Sequence, residues 1–296
     1  MAVKSKRRHI GRYILLLFII GIVGGEIFRR NAVKNMNDTF LQTYQPKPEV
    51  AEIAEKTTLT DKAKILFYRA DPEFIESNTF AEYCITKDGI QLALACARSN
   101  TPGQPNSTPR IFLLQMDNPK FADSRFPSAA HEMLHLVYQK LTNSEKQQLA
   151  PLIDTELTKH EDDAHLMNIV DIIKNSMGDK YLEEMRNELH SIFGIEFQDI
   201  SPELEDYYSQ YFSDRTQVVT LHQNGGLEQS IRKLDELTWE RNQLNDKIQT
   251  LREQDPDNVT EYNNLVNQYN VITKQGQVAD KEMQALYKLI NPSYTP

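Results

Sequence analysis

The stretch SAAHEMLHLVYQKL, residues 128–141, decides how the rest of the chain is read. Ala130, Met133, Leu134, Val137 and Leu141 recur at spacings of three and four, which predicts an amphipathic helix over 129–141 with Ser128 as its N-cap. His131 and His135 then lie one turn apart on one face, so both imidazoles can reach a single ion. Neutral imidazole suits zinc, and a catalytic zinc keeps one coordination position for water. Glu132 stands beside the first ligand, where its carboxylate can take the proton of that water, whose pKa zinc lowers toward about 7. The pattern therefore predicts Zn2+ held by His131 and His135, with Glu132 as general base.

Upstream of this helix, Ile90, Leu92, Leu94 and Cys96 alternate with small or polar residues, the period-2 pattern of a half-buried strand. A loop rich in Pro, Ser, Asn and Gly (99–109) and a second strand over 111–116 follow. Cys84 and Cys96 bracket Lys87-Asp88-Gly89, a turn signal, so a hairpin would bring the two thiols together as a disulfide. Downstream, 144–157, 166–177 and 181–193 read as helices. A small sheet followed mostly by helices is an α+β pattern.

The two ends of the chain differ from its middle. Residues 1–34 carry a net charge of +7, and the remaining residues −16, out of −9 overall. The basic start precedes Tyr13–Phe28, YILLLFIIGIVGGEIF, a nearly unbroken apolar run a little short of the roughly 20 residues of a spanning helix. Read as a signal anchor, it places the N-terminus in the cytoplasm and the body outside a cell membrane crossed once. A cleavable signal peptide is the other reading. The acidic body argues against nucleic acid as a partner, since phosphate binding needs clustered Lys and Arg. Near the other end, Leu227, Leu234, Leu237, Leu244, Ile248 and Leu251 fall on a seven-residue repeat. Asp255-Pro256-Asp257-Asn258 interrupts it, and it resumes from Tyr262 to Ile290. Heptads on either side of a turn predict an antiparallel, coiled-coil-like helical hairpin that packs on the body, makes an oligomer or binds a protein partner. The expected organisation is a basic segment and anchor (1–34), a tether (35–61), a catalytic domain (62–224) and the hairpin (225–296).

The segments Ala129-Ala130-His131-Glu132-Met133-Leu134-His135 and Asn187-Glu188-Leu189-His190-Ser191 together resemble the zincin metallopeptidases. Within them the chain looks like the gluzincin branch, in which an N-E-x-x-S segment on a later helix supplies the third zinc ligand. By that resemblance Glu188 is the ligand, the activity is hydrolysis of protein or peptide substrates, and the strand 111–116 forms the cleft edge that pairs with an extended substrate. Two features depart from the family. The interval from His135 to Glu188 is long, and Ile192 occupies the position where those enzymes carry an Asp that supports a zinc ligand. Helical geometry by itself leaves Glu188 and His190 open, because they flank the buried face of their helix about 100° to either side.

A peptidase also needs a donor for the developing oxyanion. Tyr211 and Arg215, one turn apart, are the candidates for facing the cleft together, with His222 the weaker one. A competing reading makes the tyrosines core residues and Asp214–Arg215 a surface pair. His160 and His165, five apart, are expected to be solvated. The rival to an enzyme is a non-catalytic surface interaction protein on the same scaffold that binds its partner through the hairpin.

Overall fold

The computed structural model describes residues 25, 28, 29, 31–84, 94–98, 109–116, 121–177 and 181–290. The chain divides into two compact units, Met1–Pro46 and Lys47–Pro296. In the first, residues 31–43 are helical (α1), and Phe40 stacks on Tyr44 with ring centroids 5.0 Å apart. Among the described residues no helix is long and apolar enough to cross a membrane. That finding corrects the expected single-pass anchor with an extracytoplasmic body. Tyr13–Phe28, on which the expectation rested, lies outside the described residues apart from Gly25 and Phe28.

The second unit begins where a tether was expected. Pro48 opens α2 (Pro48–Lys56), where its missing N–H costs nothing, and Val50, Ile53 and Ala54 bury that helix in the main core. Thr60 caps α3 (Asp61–Arg69) by accepting a hydrogen bond from the Ala63 backbone N–H. Residues 48–56 therefore belong to the body.

A three-stranded sheet follows, in the order β1 (Glu73–Ile75), β3 (Arg110–Leu114), β2 (Ala95–Arg98), with α4 (Ser77–Cys84) between β1 and β2 in sequence. β1 runs parallel to β3, and β2 antiparallel to it. β3 is the middle strand and is buried on both faces. Ile111 and Leu113 join the core beneath α5, while Phe112 and Leu114 meet Phe80, Leu227 and Met283 on the other side. The disulfide Cys84–Cys96 is present, but it ties the end of a helix to β2 rather than the two arms of a hairpin. The turn signal 87–89 lies outside the described residues.

After a short 3-10 turn (Ala122–Ser124), α5 runs from Arg125 to Lys140, four residues earlier than the sequence suggests. Pro127 sits in its first turn, where an N–H is not needed. Ser128 is inside the helix, and its hydroxyl donates back to the Ser124 carbonyl instead of capping. α6 (Asn143–Lys159) restarts at once through a capping box between Thr142 and Glu145. α7 (Ala164–Met177), α8 (Tyr181–Ile195), α9 (Pro202–Tyr208) and α10 (Arg215–Asn224) complete the helical layer. Arg215 is buried and donates to the Phe193, Phe197 and Gln198 carbonyls, groups left unpaired where α8 ends.

Two long helices close the chain: α11 (Gly226–Gln254) and α12 (Val259–Ile290), joined by residues 255–258 and packed on each other through Leu244, Ile248 and Leu265. At their other end Leu227 and Met283 are part of the core on the outer face of the sheet. Met185, Leu189, Ile192 and Phe193 bury α8 against α5. At Gly194 the approach is so close that a Cβ would stand 2.3 Å from Leu134 Cδ1 and 3.1 Å from Tyr208 Cε1. Gly194→Ala should therefore lower stability by about 1–2 kcal/mol in urea unfolding, although alanine is the better helix former. Unchanged or raised stability would show that Leu134 can move aside freely.

Candidate metal centre

α5 presents His131 and His135 on one face with ring centroids 4.6 Å apart, and α8 carries Glu188 up to them. Glu188 Oε1 lies 3.2 Å from His131 Nε2, and its Oε2 lies 3.4 Å from His135 Nε2. A charge-assisted N–H···O bond would close to about 2.7–2.9 Å. Two ligand atoms bound to one tetrahedral zinc stand about 3.4 Å apart. The observed separations lie between these two, compatible with an ion pair and with a shared ion.

The orientation of His135 agrees. Its Nδ1 lies 3.1 Å from Asn187 Oδ1 and 3.3 Å from Ser191 Oγ. These contacts on Nδ1 fix the ring with Nε2 turned toward Glu188. Asn187 and Ser191 thus hold this histidine from behind, while Ile192 is buried in the core. His190 faces the other way. It is fully buried among Tyr138, Tyr207 and Tyr208, with Nε2 2.9 Å from the Tyr207 hydroxyl.

Charges at the centre are strongly coupled. Burial alone would lower the His135 pKa, but the adjacent Glu188 carboxylate outweighs it and raises it to about 9. Burial would raise Glu188, and the two imidazoles instead hold it well below the usual carboxylate range. His190, buried and facing no acid, is pushed down to about 3.

Two carboxylates neighbour the imidazoles, and they are placed differently. Donor atoms of Glu132 and the two histidines lie within 4.8 Å of one another. Its Oε2, however, accepts a hydrogen bond of 2.7 Å from the Ala97 backbone N–H, whereas Glu188 bridges the two Nε2 atoms directly. Both carboxylates thus reach the imidazole pair, Glu188 against the two Nε2 atoms and Glu132 from the edge of β2. The donor set of two imidazole nitrogens and a carboxylate fits zinc.

The centre opens into a cleft of about 500 Å³. One wall is β2. The Leu114 N–H bonds to the Leu94 carbonyl, so the 94, 96 and 98 positions face β3, and Ala95 and Ala97 turn their backbone groups to the cleft. Among the described residues β2, and not the strand at 111–116, is an edge of the sheet, because β3 is hydrogen-bonded on both sides.

Tyr211 is absent from the cleft. It is 3 % exposed, in the core behind α8, with Lys62 Nζ 3.4 Å from its hydroxyl. Arg215 is likewise buried at the end of α8 and is neither a cleft residue nor a surface partner of Asp214. His222 does line the cleft. His165, expected in solvent, is buried, and His160 is half-buried against Phe193 and Phe197. The sequence reading missed Glu196 and Glu228 in the lining, since their partners are remote in the chain. Comparison with protein-family models, curated proteins and solved structures returned no match.

Glu228, in the first turn of α11, accepts a 2.6 Å hydrogen bond from Ser124 Oγ across the cleft wall. Burial raises its pKa to about 7 from an ordinary 4.5. Between those values the folded protein holds the extra proton, so stability falls as pH rises, by roughly 2–3 kcal/mol at pH 7 and above. Glu228→Gln should remove that decline, making the variant more stable than wild type at pH 8 but not at pH 4.5. Parallel pH slopes in urea unfolding for the two proteins would refute the assignment.

Proposed function

We propose that this chain is a zinc-dependent metallopeptidase on a zincin-like, gluzincin-type scaffold, with α11 and α12 as its antiparallel helical hairpin. The observation that carries the reading is Glu188 bridging His131 Nε2 and His135 Nε2 at ligand-like separations, beside Glu132, whose Oε2 accepts from the Ala97 N–H. His131, His135 and Glu188 would hold the zinc, and Asn187 and Ser191 fix the His135 ring. Bound there, zinc would supply a Lewis acid for the scissile carbonyl and lower the pKa of its water. Glu132, held at the edge of β2, is placed to serve as the proton acceptor and donor of the reaction.

The substrate on this reading is an extended peptide. Ala95 and the Ala97 carbonyl offer backbone groups along the outer edge of β2, and a segment paired there gains main-chain hydrogen bonds irrespective of its sequence. The Ala97 N–H held by Glu132 Oε2 keeps the base at that edge, next to where a scissile bond would lie. The alternative of an interaction protein without catalysis predicts full function in the absence of the base.

The test is a peptide-library cleavage assay with zinc analysis on the full chain. Glu132→Gln should lower turnover by about 10²–10⁴-fold and leave zinc content unchanged, because Glu132 is not a ligand. His135→Ala and Glu188→Ala should each lose the zinc of this centre together with activity. No cleavage by the zinc-loaded wild type, or full cleavage by Glu132→Gln, would overturn the proposal.

A further inference from the structure

A second constellation adjoins the same cleft, which Glu196 and His222 line. Glu196, immediately after α8, lies between His165 of α7 and His222 of α10. Its Oε2 is 3.4 Å from His165 Nε2, and its Oε1 is 3.7 Å from His222 Nε2. We propose that His165, Glu196 and His222 form a second binding site for a divalent transition-metal ion such as zinc.

The built features of the site point to a cation. Glu196 has a side chain only 9 % exposed, and its Oε2 accepts no hydrogen bond although it is shielded from solvent. An ionised carboxylate oxygen in that condition is costly unless a positive charge faces it. The contacts of His165 are uneven in a telling way. Its Nδ1 meets Asp235 Oδ2 at 2.7 Å, a tight charge-assisted bond, while Nε2 stands off from Glu196. Asn168 Nδ2 in turn donates to Asp235 Oδ1 at 2.9 Å. A carboxylate locked on one ring nitrogen, with the other aimed at a second acidic group, is how metal-binding histidines are oriented. Imidazole and carboxylate donors suit first-row transition ions.

Glu196 turns one oxygen to each histidine, at 3.4 Å from His165 Nε2 and 3.7 Å from His222 Nε2, separations that an ion would bridge. His222 and Glu196 line the same cleft as His131 and Glu188, so the second ion would adjoin the first centre.

The site is independent of the zinc peptidase reading, and the experiment separates the two. Metal content by mass spectrometry, with Co2+ substitution monitored by visible absorption, should be determined on the full chain. Wild type is expected to bind two ions. The double variant His131→Ala/His135→Ala should keep one, with a cobalt spectrum, and Glu196→Gln or His222→Ala should each lose one. Asp235→Asn, which leaves the three ligands in place, should weaken the second ion about 10–100-fold. One ion in wild type, lost from the double variant and unaffected by Glu196→Gln and His222→Ala, would overturn the proposal. One ion lost with Glu196→Gln but kept in the double variant would support this site and overturn the other.

Discussion

The close approach of α5 and α8 is the constraint on which the remaining features of the body depend. The two helices meet where Gly194 leaves no side chain between itself and Leu134, the residue before His135. That contact fixes how far α8 stands from α5, and Glu188, six residues back along α8, inherits the spacing. A helix rises about 1.5 Å per residue, so a shift of one turn would carry Glu188 past both imidazoles. The other ends of α8 are secured in turn. Arg215 gathers its last carbonyls, and the Tyr208 hydroxyl donates to the His190 carbonyl at 2.6 Å. Core packing of this kind holds a polar site because interiors are close-packed and do not deform continuously.

The electrostatics follow from that rigidity. The cleft is lined by Glu132, Glu188, Glu196 and Glu228, together with His131, His135 and His222. Hydrogen-bond donors ease only part of this acidity: the Ala97 backbone N–H serves Glu132, and the Ser124 hydroxyl serves Glu228. The remaining carboxylates are balanced by imidazoles fixed from behind, His135 by an amide and a hydroxyl, His165 by Asp235. In both groups the histidine is gripped firmly on one nitrogen and loosely on the other.

What could be read from the sequence was what is local. The H-E-x-x-H spacing and the apolar periodicity of α5 are properties of one helix, so the face shared by His131 and His135 was legible. The boundaries of α6, α7 and α8 also follow from periodicity and capping within a few residues. Glu188 against His190 could not be decided by a single helix, since both flank its buried face; the answer depends on which side α5 occupies. Tyr211 looked available because polar aromatic residues cluster in 207–211, but three tyrosine rings there pack on each other and on His190. His165 failed for the converse reason. Its partners lie 31 and 70 positions later, beyond any pattern that a local reading can register. The edge strand was misassigned because β1, which covers the far side of β3, is only three residues long.

The first turns of α11 supply Glu228 and Ile231 to the cleft and Asp235 to the histidine behind it, while the distal half of the same helix pairs with α12. Seen as joinery, this is a beam built into the wall of a room and carried on beyond it. The chain offers no clean seam at 225. Excising the long helices would also strip out a side of the cleft, leaving the apolar face beneath Leu227 and Met283 uncovered.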